Sequence, residues 1–223
     1  MNQFIDAHHY ITSDNETHSL PQLMTLFDRH ILPDGVRQRA YLKLIWTRKN
    51  NRVEIASNQA YFQSAGANVD DGGKTRQFAA MDPAILELPV MKNILQFNTR
   101  VIQNFAPLSH HSELTLGLHF IRYHVNQYGA SYSSPDGLHQ DDEPLVFVHL
   151  LDLSPNAIGG DNLIAALDTR RITNVIRLEK PLDTLMLTRD YYHAVTPLGA
   201  RYGSAKRDVI LFTVEPSTTQ VAS

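Results

Sequence analysis

The sequence predicts a mainly-β domain with flanking α-helices, built as a sandwich or barrel whose N-terminal helices pack on one sheet. Three observations predict it. From Leu114 onward, short runs rich in Val, Ile, Leu, Tyr and Phe are broken by Gly, Pro, Asn and Asp, with no helices between them. Both helical patterns fall before that point. The 223 residues, 43% of them hydrophobic, are enough for one large core, and neither a linker nor an internal repeat divides them. One domain over residues 1–223 is expected, with 1–113 as helical and strand support and 114–216 as the core that carries the site.

Residues 1–17 are polar and weakly patterned. Ser19 to His30 places Leu20, Leu23, Met24 and Phe27 at helical spacing. Arg37 to Thr47, with Tyr41, Leu42, Leu44, Ile45 and Trp46, reads as a strand. Residues 64–76 are rich in Gly, Asp and Asn and read as a mobile loop, a plausible lid. Within it Gly73-Lys74-Thr75 resembles the end of a phosphate-binding loop, but the required earlier glycine would fall at Asn68, so the motif fails. Pro83 to Phe105 reads as one long helix, with Asp82 before it and Pro83 suited to its first turn. The strands that follow are Thr115–Asn126, Pro144–Leu151, Asn162–Leu167, Asn174–Leu178, Asp183–Thr188, His193–Pro197 and Arg207–Glu215.

Bulk properties remove several function classes. A net charge of -3 without a basic stripe gives nucleic-acid binding no support. No apolar run approaches the roughly 18–20 residues that span a bilayer. The first residues, Met1 to Asp6, lack the basic and apolar regions of a signal peptide, so a cytoplasmic protein is expected. The absence of cysteine removes disulfides, thiolate zinc sites, Fe–S clusters and a cysteine nucleophile. Any metal must therefore sit on histidine and carboxylate. Nothing in the pattern specifies an oligomeric state.

Such a set exists. On an extended segment, residues i and i+2 point the same way, about 6.5–7 Å apart. His139 and Asp141 in Gly137-Leu138-His139-Gln140-Asp141 can thus converge on one ion while Gln140 points away. His193, opening an apolar strand, supplies the third ligand. Two imidazoles and one carboxylate suit Fe(II) and leave about half of its shell open for oxygen and a co-substrate. An isolated H-x-D is common by chance among 11 histidines. The setting separates this one: it follows the turn Ser134-Pro135-Asp136-Gly137 and precedes a buried strand. His8-His9 and His110-His111 read as surface residues, and His119 and His149 as satisfied core histidines. Arg207 opens a strand that is apolar on both faces, Val209 and Leu211 on its own and Ile210, Phe212 and Val214 on the other. An arginine there is costly unless it meets an anion, and its planar fork suits a carboxylate. The alternative is a surface arginine just before the strand.

The order H-x-D, distal histidine, then arginine on the next strand resembles the Fe(II)/2-oxoglutarate-dependent dioxygenases, and more narrowly the bacterial family of L-isoleucine 4-dioxygenase and related free amino-acid hydroxylases. The stretches that carry the resemblance are Pro135 to Asp141, Asn156 to Asp161, Leu182 to Leu185, His193 to Pro197 and Arg207 to Val209, roughly the C-terminal half. The resemblance implies a double-stranded β-helix, a cupin-like jelly roll of two sheets. It implies that His139, Asp141 and His193 hold iron and that Arg207 binds the distal carboxylate of 2-oxoglutarate, with O2 as co-substrate. It implies hydroxylation of a free L-amino acid, aliphatic as in leucine, isoleucine or methionine, coupled to succinate and CO2. Halogenases of this fold replace the carboxylate ligand by a small residue, so Asp141 favours hydroxylation. Arg122 has a counterpart in relatives and could bind the substrate carboxylate or be structural. Where relatives often carry glycine, Asp142 and Glu143 follow the aspartate. They could meet a substrate amine, repel an acidic substrate, or be solvated loop carboxylates. The competing readings are hydroxylation of a cyclic or polar amino acid, a cupin-type metalloenzyme that does not use 2-oxoglutarate, and a non-catalytic binding module. The last would need exposed aromatic platforms, and the sole tryptophan, Trp46, sits in an apolar strand.

Overall fold

The computed structural model describes residues 6–7, 14–66, 72–133, 135 and 137–217. Two α-helices, α1 (Asp14–His30) and α2 (Pro89–Asn104), accompany fifteen strands among these residues. The strands are β1 (Asp6–Ala7), β2 (Leu32–Asp34), β3 (Arg37–Thr47), β4 (Arg52–Ile55), β5 (Tyr61–Phe62), β6 (Thr75–Arg76), β7 (Glu113–Asn126) and β8 (Leu145–Leu153), followed by β9 (Ala157–Ile158), β10 (Asn162–Ala166), β11 (Ile172–Ile176), β12 (Thr184–Thr188), β13 (Tyr191–Val195), β14 (Gly199–Ala200) and β15 (Ser204–Pro216).

The major sheet runs β1-β12-β8-β15-β7-β3-β2, antiparallel throughout, with β4 also on β3. Opposite lie the short sheet β11-β10-β13 and the pair β14-β9. This is the two-sheet jelly roll. β15 is central, between β8 and β7, as its apolar faces require. Ile210, Phe212 and Val214 turn outward into the core under the helices, with Leu114, Leu116, Leu118 and Phe120 of β7. Val209 joins Ile121, Val148, Leu150, Ile164 and Leu187 between the sheets. Burying each such side chain stabilises by roughly 1.5–3 kcal/mol, so the strand is clamped from both sides.

The helices cover the outer face. α2 buries Val90, Met91, Ile94, Asn98 and Ile102 at helical spacing. Its Asn98 Nδ2 meets His149 Nε2 at 2.9 Å, and His149 Nδ1 meets Thr184 Oγ1 at 2.8 Å. His149 is therefore a satisfied core histidine, held neutral because burial lowers its pKa to about 3. Trp46 is fully buried and donates to Asn51 Oδ1 at 2.7 Å, so it is no exposed platform.

Two readings of the sequence change. Pro83 to Phe105 is not one helix: a 3-10 segment (Pro83–Glu87), capped by the Asp82 side chain on Ala84 N, precedes α2. Leu88 between them is extended at φ -66, ψ 135, because the ring of Pro89 disfavours the helical region for its predecessor. The N-terminal part is also more than support. β3 pairs with β7 over eleven register positions, from Arg37↔Tyr123 to Thr47↔Glu113, and so widens the sheet that floors the site. The expected loop over 64–76 is bounded by a hairpin in which Tyr61 and Phe62 pair with Arg76 and Thr75; residues 67–71 of it, like His8-His9, lie outside the described residues.

Candidate metal and co-substrate site

The site begins with a backbone pair. His139 N donates to His193 O, and His193 N donates to His139 O, each at 2.9 Å. This exchange sets the two histidines directly opposite on neighbouring extended segments, and their ring centroids lie 4.3 Å apart. Asp141, two residues on, returns to the same side. Its carboxylate oxygens stand 3.7 Å from His139 Nε2 and 3.3 Å from His193 Nε2. One ligand atom from each of the three lies within 4.8 Å of the others, close enough to share an ion. Gln140 points away and donates to Arg189 O at 2.6 Å. His139 Nδ1 lies 2.9 Å from Gly137 O. A carbonyl only accepts, so the neutral ring carries its proton on Nδ1 and leaves Nε2 as a lone pair for a metal. Burial keeps the His193 imidazole below its ordinary pKa, against the pull of Asp141, which also favours the ligating form.

A cavity of about 100 Å³ opens before these three residues. Its apolar wall includes Ile121, Val148, Leu187, Val209 and Leu211. Arg207 also lines it, in register with Tyr123 on β7 and Leu153 on β8. The arginine is 3% exposed, and its Nη2 has no partner among the described residues. The Ser131 hydroxyl, in the same recess with Tyr123, is likewise buried and unpartnered. Two orphaned donors facing one recess are costly unless an anion enters. The recess is shaped by Gly160, at φ +74, where a Cβ would come within 3.2 Å of the Arg207 side chain. At Gly159, φ +69, a Cβ would collide with the Pro197 carbonyl. Arg177 braces this turn by donating to Gly159 O and Asp161 Oδ1 at 2.6 and 2.9 Å.

The chain matches the profile of the 2OG-Fe dioxygenases over residues 22–213. It belongs to that family. The L-isoleucine-4-hydroxylase of Bacillus thuringiensis is 39% identical over 93% of this chain and 88% of that protein. The 3(1)-hydroxy-L-isoleucine 4-dioxygenase of Pantoea ananatis (strain AJ13355) is 37% identical over 84% and 76%. The crystal structure of IDO from Bacillus thuringiensis superposes with a TM-score of 0.85 at 34% identity, covering 96% of this chain and 94% of that one. A bsmA homolog from Methylobium petroleophilum PM1, 20% identical with a TM-score of 0.76 over 90% and 82%, shares the fold. The protein is thus a 2-oxoglutarate-dependent non-haem iron dioxygenase, with Fe(II), 2-oxoglutarate and O2 as its cofactor and co-substrates. The donor set fits the iron, and the orphaned donors at Arg207 and Ser131 fit a carboxylate.

Not every residue singled out in the sequence reaches this cavity. Arg122 is a correction. It lies on the opposite face of β7, where its Nε and Nη2 donate to the two oxygens of Asp208 at 2.7 and 2.6 Å and Nη2 also to Asp28 at 2.6 Å. It ties α1 to the sheet, its guanidinium over Phe27. Asp142 is no solvated acid either: it accepts from Ser64 N at 2.6 Å and Ser64 Oγ at 2.8 Å. Glu143 is 3% exposed and accepts from the Tyr61 hydroxyl at 3.1 Å. Burial, then the neighbouring Asp141, push its carboxyl up to about 8. Neither lines the cavity; both hold the β5–β6 hairpin, whose Tyr61, Gln63 and Arg76 do. Two further lining residues matter: Arg39, which the sequence did not single out, and His119, which reads there as a satisfied core histidine. Alternation would have found them: 37 and 39 on β3, and 119, 121 and 123 on β7, share the inner face. His119 is a correction too, since its Nε2 has no partner among the described residues.

Proposed function

We propose that this enzyme hydroxylates a free aliphatic L-amino acid of the isoleucine, leucine or methionine type, with consumption of 2-oxoglutarate and O2 and release of succinate and CO2. The observation that carries the reading is the pairing of the His139–Asp141–His193 group with a buried Arg207, whose Nη2 has no partner among the described residues, in one small cavity with an aliphatic wall on one part of its lining. The named substrates of the two similar proteins, L-isoleucine and a hydroxy-L-isoleucine, support the substrate class.

In this reading His139, Asp141 and His193 would hold Fe(II), which would supply oxygen activation when bound. Arg207, with Ser131 and Tyr123 beside it, binds the distal carboxylate of 2-oxoglutarate and satisfies its own buried charge in doing so. Val209, Ile121 and Val195 line the same cavity and would keep water from the co-substrate. Gly137 O fixes the tautomer of His139. A carboxylate at position 141, where halogenases of this fold carry a small residue, favours hydroxylation. A 2-oxoglutarate-independent reaction and a binding module are not favoured: Arg207 is buried with an unpartnered Nη2 among the described residues, and Trp46 is covered.

Adding 2-oxoglutarate to the anaerobic Fe(II) protein tests this directly. A weak visible charge-transfer band is expected for the wild type and none for Asp141→Ala. A band that survives in the variant removes Asp141 from the ligand set, and no band in the wild type refutes the reading.

A further inference from the structure

The cavity carries a second polar surface besides the recess of Arg207. Arg39 and His119 face it from adjacent strands and are 6% and 1% exposed. Arg39 and Arg207 stand two strands apart in the sheet order β15-β7-β3, about 10 Å at the usual strand spacing. Two features of this surface lack a complement. The first is charge. Asp34 Oδ2 lies 3.0 Å from Arg39 Nε and 3.1 Å from Arg37 Nε, so one carboxylate is shared by two buried guanidiniums. Among the described residues these ion pairs leave one of the two guanidinium charges unmatched, on a wall from which water is largely excluded. Burial, then Arg37, lowers the Arg39 guanidinium to about 10. Phe78, 4.4 Å below the Arg39 guanidinium, fixes its plane without neutralising it.

The second is a hydrogen-bond donor. Arg39 Nη1 approaches His119 Nδ1 at 3.5 Å. A guanidinium only donates, so Nδ1 accepts and the proton of the neutral ring sits on Nε2. Burial and the surrounding Arg39, Arg37, Arg76 and Lys43 hold that imidazole neutral. Its Nε2–H is then a buried donor with no acceptor among the described residues. A carboxylate answers both deficits: it carries one negative charge and two acceptor oxygens.

We propose that Arg39 and His119 form the subsite for the α-carboxylate of the amino-acid substrate. The inference rests on the reading above that the substrate is a free amino acid, and it deepens it. Gripping the carboxylate on β3 and β7 leaves the aliphatic chain to run along the apolar wall to His139, Asp141 and His193. The amino acid is then selected by its free acid group as well as its chain. Amides and peptide-bonded residues, which lack that charge, are rejected because the surplus charge stays buried and unmet.

The test is anaerobic calorimetry on the protein loaded with Fe(II) and 2-oxoglutarate. L-Isoleucine, L-leucine and L-methionine are titrated first, then the carboxamide of the tightest binder. The expected result is an amide bound about 30-fold more weakly than the acid, the scale of a lost charge-assisted hydrogen bond. Arg39→Gln lowers affinity for the acid by a similar factor and leaves that for the amide within about 3-fold; Arg39→Lys falls between. Equal affinity of the wild type for acid and amide overturns the subsite with no variant needed, and so does unchanged acid affinity in Arg39→Gln. If the 2-oxoglutarate band forms but none of the three amino acids binds, the subsite falls and the iron and 2-oxoglutarate reading stands. If the band does not form, both fall.

Discussion

Replacing Asp142 by alanine separates two roles for the acids that follow the metal-binding segment. Asp142 receives both the backbone N–H and the hydroxyl of Ser64, at 2.6 and 2.8 Å, and so fastens the hairpin that carries Tyr61, Gln63 and Arg76 to the segment of His139 and Asp141. A hydrogen bond to a charged group contributes about 1.5–3 kcal/mol when protected from water. Asp142 is half-buried, and water takes over part of each bond in the variant, so about 2 kcal/mol for the pair is the working figure. That is roughly a 30-fold increase in opening of the hairpin. Amide hydrogen exchange over residues 60–66 and 72–78 is the assay. Exchange there should accelerate by about that factor while α2 and β15 keep their protection. The KM for the amino acid should rise more than the KM for 2-oxoglutarate. Unchanged exchange in the hairpin would refute the clamp and return Asp142 to the status of a solvated loop acid.

Three other outcomes follow from the same geometry. Arg207→Met should lose the thermal stabilisation that 2-oxoglutarate confers on the Fe(II) protein, about 2.7 kcal/mol at 100 times Kd. Without ligand it should melt no lower than the wild type, because an unmet buried charge has gone; a co-substrate shift that persists counts against its role. Gly160→Ala should cost about 1–2 kcal/mol for its left-handed backbone and weaken 2-oxoglutarate binding by pressing on Arg207, measured by melting and by titration of the charge-transfer band; no change in either would contradict the recess described. His149 is neutral when folded, with its pKa lowered to about 3 from 6.5, so the unfolded chain binds the extra proton between those values. Stability should therefore fall as pH drops below about 6.5, this residue supplying a slope of up to about 1.4 kcal/mol per pH unit. His149→Gln should flatten that slope in denaturant titrations, and an unchanged slope would argue against a buried neutral imidazole.

Much of this site was legible in the sequence because strand geometry is regular. The i, i+2 spacing of His139 and Asp141 and the apolar faces of the Arg207 strand needed no tertiary information. The triad was completed by a backbone pairing between positions 139 and 193, which spacing alone does not specify. Arg122 was misplaced for a simple reason of parity. It sits between Ile121 and Tyr123, which face the cavity, so its side chain points the other way, toward Asp208 and Asp28. Asp142 and Glu143 were opaque because their partners, Ser64 and Tyr61, lie about 80 residues earlier in the chain. The break at Leu88 was readable from Pro89. β11 was blurred because four of its five residues are exposed, leaving no alternation to detect.

The central claim is that this 2OG-Fe dioxygenase couples 2-oxoglutarate turnover to hydroxylation of a free aliphatic L-amino acid. Succinate release, screened with Fe(II), O2 and 2-oxoglutarate across free L-amino acids, tests it most directly. The account predicts release that depends on isoleucine, leucine or methionine, matched one to one by hydroxylated product and abolished in Asp141→Ala. Succinate release that no free aliphatic amino acid stimulates, or product that forms without 2-oxoglutarate, would contradict it.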